Sequence, residues 1–135
     1  MTIEQLAEIC REYRKKADLS QGDLADLADY EQCSISQFER GRKRLQLGTL
    51  IRLMDALNIK LKAGTVIINT PGDAYGVIGS AMLKKHWGNK ELSEATGISV
   101  SALWTWRQSS MSGVYIDNAL TAMRALKIDV SVIET

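Results

Sequence analysis

Proline, histidine and phenylalanine each occur once in the 135 residues, and cysteine twice. The one proline, Pro71, lies beside Gly72, so the only strong pair of breakers falls in the stretch 69–73, which reads as a linker. Cys10 and Cys33 fall in segments with helical periodicity and have no paired spacing. That excludes a disulfide framework and implies free thiols in a reducing, cytoplasmic setting. His86 has no Cys, Asp or Glu at ligand spacing, so no metal site and no cofactor are expected. No apolar run approaches ~18 residues, so no membrane span is expected, and the opening MTIEQLAEICREY is no secretion signal. A catalytic constellation is also missing, and Gly76 with Gly79 does not form a phosphate-cradling loop, so the chain does not read as an enzyme. The net charge of +1 gives no global pull on nucleic acid, and local clusters have to carry any such role.

Two segments stand out. Ser20 to Gly41 reads SQGDLADLADYEQCSISQFERG, and Gly88 to Gln108 reads GNKELSEATGISVSALWTWRQ. In each an apolar residue (Leu24, Leu92) is followed by a small one (Ala25, Ser93), where two helices must approach closely. A turn residue (Asp29, Gly97) and a hydrophobe (Tyr30, Ile98) come next. Apolar pairs three apart, Ile35 with Phe38 and Leu103 with Trp106, close each unit. This is helix-turn-helix patterning, met twice at one offset.

The repeat extends on both sides. A helix is expected over Ile3 to Lys16, with Ile3, Leu6, Ala7 and Cys10 on one face. Ser20 with Asp23 makes a capping-box variant for the next helix, and a third runs from Gln32 to Arg40. Leu47, Leu50, Ile51, Met54 and Leu57 recur in spacing as Ile116, Ala119, Leu120, Met123 and Leu126, now 69 residues on. Short alternating tails follow: Ile59, Leu61 and Ala63 in one copy, Ile128, Val130 and Val132 in the other. Thr65 to Ile68 can return on the first tail as a hairpin. The expected organisation is mainly α: a domain over 1–68, a linker over 69–73, and a second, divergent domain over 74–135. Short strands end both domains.

These residues resemble the lambda-repressor-like helix-turn-helix proteins, the Cro/CI-type or xenobiotic-response-element family, in two tandem copies. The first copy carries the resemblance over nearly its whole length, through LSQGDLADLA and ISQFERGRKRLQLGTLIRLMDALNI. It implies that Gln21 touches the DNA backbone and that Gln32, Cys33, Ser36 and Gln37 face base edges. A glutamine amide can both donate to and accept from adenine. Arg40, Arg42, Lys43 and Arg44 would hold flanking phosphates. The resemblance also implies an ion pair between Arg14 on the first helix and Glu39 at the end of the third. Asp29 stands where the family has glycine, and aspartate tolerates the left-handed turn.

The second copy departs further. Met82 and Arg107 replace the ion pair, and Ser109, Ser110 and Ser112 stand where the basic cluster would be. Asn89, Lys90, Ser99, Ser101, Thr105 and Arg107 form a second candidate DNA set, while Trp104 and Trp106 read as core and rim packing. The expected function is a sequence-specific transcriptional regulator of bacterial or phage type, a repressor, acting on double-stranded DNA as a homodimer. The alternative is a protein-binding or antitoxin module, whose second helix-turn-helix serves dimerisation or docks a toxin or regulator.

Overall fold

Thr2 starts the first helix by reciprocal capping. Its hydroxyl accepts from the Gln5 N–H at 3.2 Å, and the Gln5 side chain accepts from the Thr2 N–H at 2.9 Å. In the computed structural model, which describes residues 1–109, 111 and 113–135, this helix (α1) covers Ile3–Lys16 and buries Leu6, Ala7, Cys10 and Arg14. Ser110 and Ser112 lie outside the described residues. There follow α2 (Gln21–Ala28), α3 (Gln32–Glu39), α4 (Leu47–Ala56), β1 (Ile59–Ala63) and β2 (Val66–Ile68). The chain continues through α5 (Pro71–Lys85), α6 (Asn89–Thr96), α7 (Val100–Ser109), α8 (Ile116–Ala125) and β3 (Val130–Glu134). The fold is mainly helical with one small sheet, and the order of four helices and a strand occurs twice. Among the described residues, no helix is long and apolar enough to cross a membrane.

The stretch 69–73 is not a linker. Thr70 caps α5 through its hydroxyl, Asp73 accepts from the Asn69 and Thr70 N–H groups at 2.9 and 3.0 Å, and Pro71 takes the first helical turn. Proline is well placed there, because the N–H it lacks would have had no helical partner and its φ already suits a helix. The chain therefore passes from β2 into α5 with no free segment between them.

Strands β2, β1 and β3 form one antiparallel sheet in that order. Ile59, Leu61 and Ala63 of the central strand are buried, while Lys60 and Lys62 between them are half-buried, as a sheet with one covered face requires. The β1–β3 register pairs Lys62 with Ser131, and an isolated bridge pairs Gln46 with Tyr115. Both pairs are 69 positions apart, the offset at which the sequence pattern repeats. Antiparallel pairing of equivalent residues is what a local two-fold axis between the halves produces. The flanking bonds obey it too: Leu47 N–H donates to the Val114 carbonyl at 2.7 Å, and Ile116 N–H donates to the Leu45 carbonyl at 2.8 Å.

Buried residues of both halves join in one hydrophobic cluster, from Leu6 and Phe38 through Ile59 and Leu61 to Leu103 and Met123. Leu61, on the central strand, is 3 % exposed. Truncating it should cost ~2–5 kcal/mol, as for other large-to-small core changes. Leu61→Ala is expected to lower denaturant stability by that amount and to speed hydrogen exchange in α1–α4 and α5–α8 together. Loss of protection confined to β1 and β2 would show that the halves do not share a core.

Candidate nucleic-acid interface

Helices α2 and α3 meet through a turn in which Asp29 adopts the left-handed conformation (φ 52°, ψ 56°). The Tyr30 N–H donates to the Ala25 carbonyl at 2.9 Å, which ends α2. Leu24, Ala25 and Ala28 on one side and Ile35 and Phe38 on the other are all buried. Ala25 is small where the two helices come together, and the burial of both faces fixes how α3 projects. Its opposite face is open: Gln32, Cys33, Gln37 and Arg40 are exposed and Ser36 is half-buried.

Behind α3 lies a polar lock. Arg14 of α1 donates through Nε to one Glu39 oxygen at 2.7 Å, through Nη2 to the other at 2.9 Å, and through Nη1 to the Leu19 carbonyl at 2.9 Å. Gln21, at the start of α2, donates to the same carboxylate at 3.1 Å. Three helices thus converge on one nearly buried carboxylate, whose side chain is 5 % exposed. Burial alone would raise the Glu39 pKa. The hydrogen bonds from Arg14 and Gln21, with the Arg14 charge, outweigh it and hold the carboxyl below its ordinary value. The Arg14 guanidinium shifts the other way, upward, chiefly through its bond to Glu39.

The basic stretch after α3 divides. Arg40 and Arg42 are exposed, and among the described residues neither forms an ion pair. Lys43 is half-buried and donates to the Ser34 hydroxyl at 2.9 Å. Arg44 lies away from α3, against the second half of the chain. Its Nε donates to both Asp117 oxygens at 3.0 and 3.2 Å, and its guanidinium stacks 4.1 Å from the Tyr115 ring centre. Gln21, Lys43 and Arg44, all expected at DNA, therefore already have protein partners. Nothing in the sequence marks Asp117, Tyr115 or the buried Ser34 as their partners.

In the second half, Gly97 takes the left-handed turn (φ 79°) between α6 and α7. Ser99 caps α7 by accepting from the Ala102 N–H at 3.1 Å, and the Thr105 hydroxyl donates to the Ala102 carbonyl at 2.6 Å. Lys90, Ser101 and Arg107 are exposed and Asn89 is half-buried. Trp106 is buried in the core, while Trp104 is 52 % exposed on the face of α7. Cys33 is exposed near Glu31, whereas burial raises the pKa of the Cys10 thiol to about 12 and keeps it protonated.

The depressed Glu39 pKa has a definite sign in folding. Its stabilisation is complete above the ordinary glutamate value of about 4.5 and is lost as pH falls through the lower, folded value. Glu39→Gln should leave the Arg14 charge unpaired, cost about 1–3 kcal/mol at neutral pH, and flatten the fall in stability below pH ~4.5. Denaturant titrations across that range check both effects, and an unchanged acid limb would contradict the role given to Glu39.

No curated protein and no solved structure matches the chain. Residues 11–63, from α1 to the end of β1 and so including α2, the turn and α3, match the helix-turn-helix family model.

Proposed function

We propose that this protein is a sequence-specific DNA-binding transcriptional regulator of repressor type, in which one chain carries two helix-turn-helix modules related by a local two-fold axis. The observation that carries the reading is the exposed polar face of α3, held rigid by the Arg14–Glu39–Gln21 lock inside a segment matching the helix-turn-helix family. Gln32 and Gln37 are the base readers, because an amide can accept from N6 and donate to N7 on the major-groove edge of an adenine. Cys33 and Ser36 flank them, and Arg40, Arg42 and Lys43 neutralise phosphates. Gln21 orients the lock and can still present its backbone N–H to a phosphate at the start of α2. Arg44 serves the junction with Asp117 and Tyr115.

In the second module Ser101 and Thr105 form the DNA-facing row of α7, Ser99 caps that helix, Arg107 lies near its end, and Asn89 with Lys90 stands at the start of α6. The strand pairing that the two-fold relation requires is made within a single chain, so one copy supplies both recognition helices. The homodimer expected from the sequence is then not needed to read a two-part site. A homodimer, or a toxin or regulator as partner, is the second reading. It is favoured by β2, an edge strand with Val66 and Ile67 exposed, to which another chain could add a strand.

Duplexes selected from a random pool by the full chain supply the operator for the tests. Arg40→Gln with Arg42→Gln should weaken binding to every duplex and reduce the salt slope by about one per residue. Gln32→Ala and Gln37→Ala should instead relax discrimination at particular base pairs by about 1–3 kcal/mol each. If both kinds of variant behave alike in competition, α3 is not docked as proposed. Sedimentation of the complex reads the stoichiometry: one chain per selected duplex supports the internal pair, and two chains per duplex favour the homodimer.

A further inference from the structure

Where the first half carries Arg14, Gln21 and Glu39, the second carries Met82, Asn89 and Arg107, each 68 positions on. In the first half those side chains bond one another and fill the space between α1, α2 and α3. In the second half their three counterparts line a cavity of about 200 Å³ between α5, α6 and α7, walled by Trp87, Trp104 and Trp106. The missing element is the carboxylate. Glu39 is replaced by a cation, and among the described residues no acidic side chain pairs with Arg107.

We propose that this cavity binds a small planar aromatic carboxylate, whose anionic group occupies the electrostatic place that Glu39 holds in the first half. Three features select that chemistry. Three indole rings stand among apolar side chains in the walls, which favours an apolar planar body. Arg107, which lines the cavity together with Asn89, offers a guanidinium fork, which matches a carboxylate with two parallel hydrogen bonds. The Lys85 ammonium lies 5.2 Å from the Trp87 ring centre and adds positive potential near the cavity. Size sets the scale: an apolar cavity of ~150 Å³ holds benzene and drug-sized sites begin near ~300 Å³, so one ring or two fused rings fit here. The cavity opens beside α7, whose exposed Trp104 forms part of the wall, so an occupant orders that helix face.

The test uses the full chain with benzoate and 2-naphthoate as probes and 2-naphthalenemethanol as the uncharged control. The readouts are the indole N–H resonances of the three tryptophans and the melting temperature. Both carboxylates should shift the indole signals saturably, with Kd below ~1 mM for the two-ring acid, and should raise the melting temperature. The alcohol should bind at least tenfold more weakly. Arg107→Gln should reduce the acids to the level of the alcohol. Gly79 lines the cavity, and a Cβ built on it meets nothing within 4 Å, so Gly79→Leu should fill the space, abolish the shifts and leave the helix at least as stable. The proposal is overturned if neither acid gives a saturable shift, if the alcohol binds as tightly as 2-naphthoate, or if Arg107→Gln leaves acid binding unchanged. It is equally overturned if the indole signals follow protein concentration instead of added acid, since a second copy would then cover the groove.

Discussion

Antiparallel pairing of β1 with β3 is the constraint on which the arrangement of the other elements depends. Neither half could keep its strand alone, because an isolated two-stranded hairpin is at best marginal in water. Three strands with one covered face suffice, and the third comes from the far end of the chain. The Leu45–Leu47 and Val114–Ile116 backbones add a second line of contact, where the Gln46–Tyr115 bridge lies between two hydrogen bonds that join these segments. Two separate lines of contact prevent the halves from pivoting about either one. The Arg44–Asp117 pair beside them is about half exposed on the arginine side, so its worth lies in orientation more than in stability. Further out, the Tyr13 hydroxyl of α1 donates to Glu134 of β3 at 2.9 Å, tying the first helix to the last strand.

The two halves solve one packing problem in different ways. The space enclosed by the first three helices is polar and filled in one case, aromatic and partly open in the other. A nearly buried ion pair such as Arg14–Glu39 adds little net stability, because desolvation offsets most of the attraction. Its directional bonds do allow one relative placement of α1, α2 and α3, which an apolar contact would not enforce. In the second half that restriction is absent. Met82, an adaptable thioether, lines one cavity with Trp87, Trp104 and Trp106 and makes no directional bond there.

Much of this was legible in the chain. The i, i+3, i+4 recurrence of Leu47, Leu50, Ile51 and Met54 announced α4, and alternation about Lys60 and Lys62 announced β1. The Arg14–Glu39 pair could be anticipated only through resemblance, since nothing local links residues 25 positions apart. Thr70-Pro71-Gly72-Asp73 was misread as a linker because proline and glycine were weighed as breakers. The threonine cap and the aspartate three residues on were the signal for a helix start. Arg44 illustrates the other limit: a cation in a basic run looks like its neighbours until the fold brings Asp117 and Tyr115 beside it. Three-dimensional proximity at 73 positions' separation leaves no trace in periodicity.

Joining the halves within one polypeptide has a consequence for their chemistry over time. In a symmetric pair of identical chains every substitution appears twice, and a change that suits one surface is imposed on the other. Here each half has its own codons. The backbone pairing about Gln46–Tyr115 and Lys62–Ser131 can stay fixed while the exposed faces diverge. The exposed faces already differ, with glutamines on α3 and a tryptophan on α7. The spacing of the two helices, being set by an intramolecular join, also does not loosen when the protein is scarce.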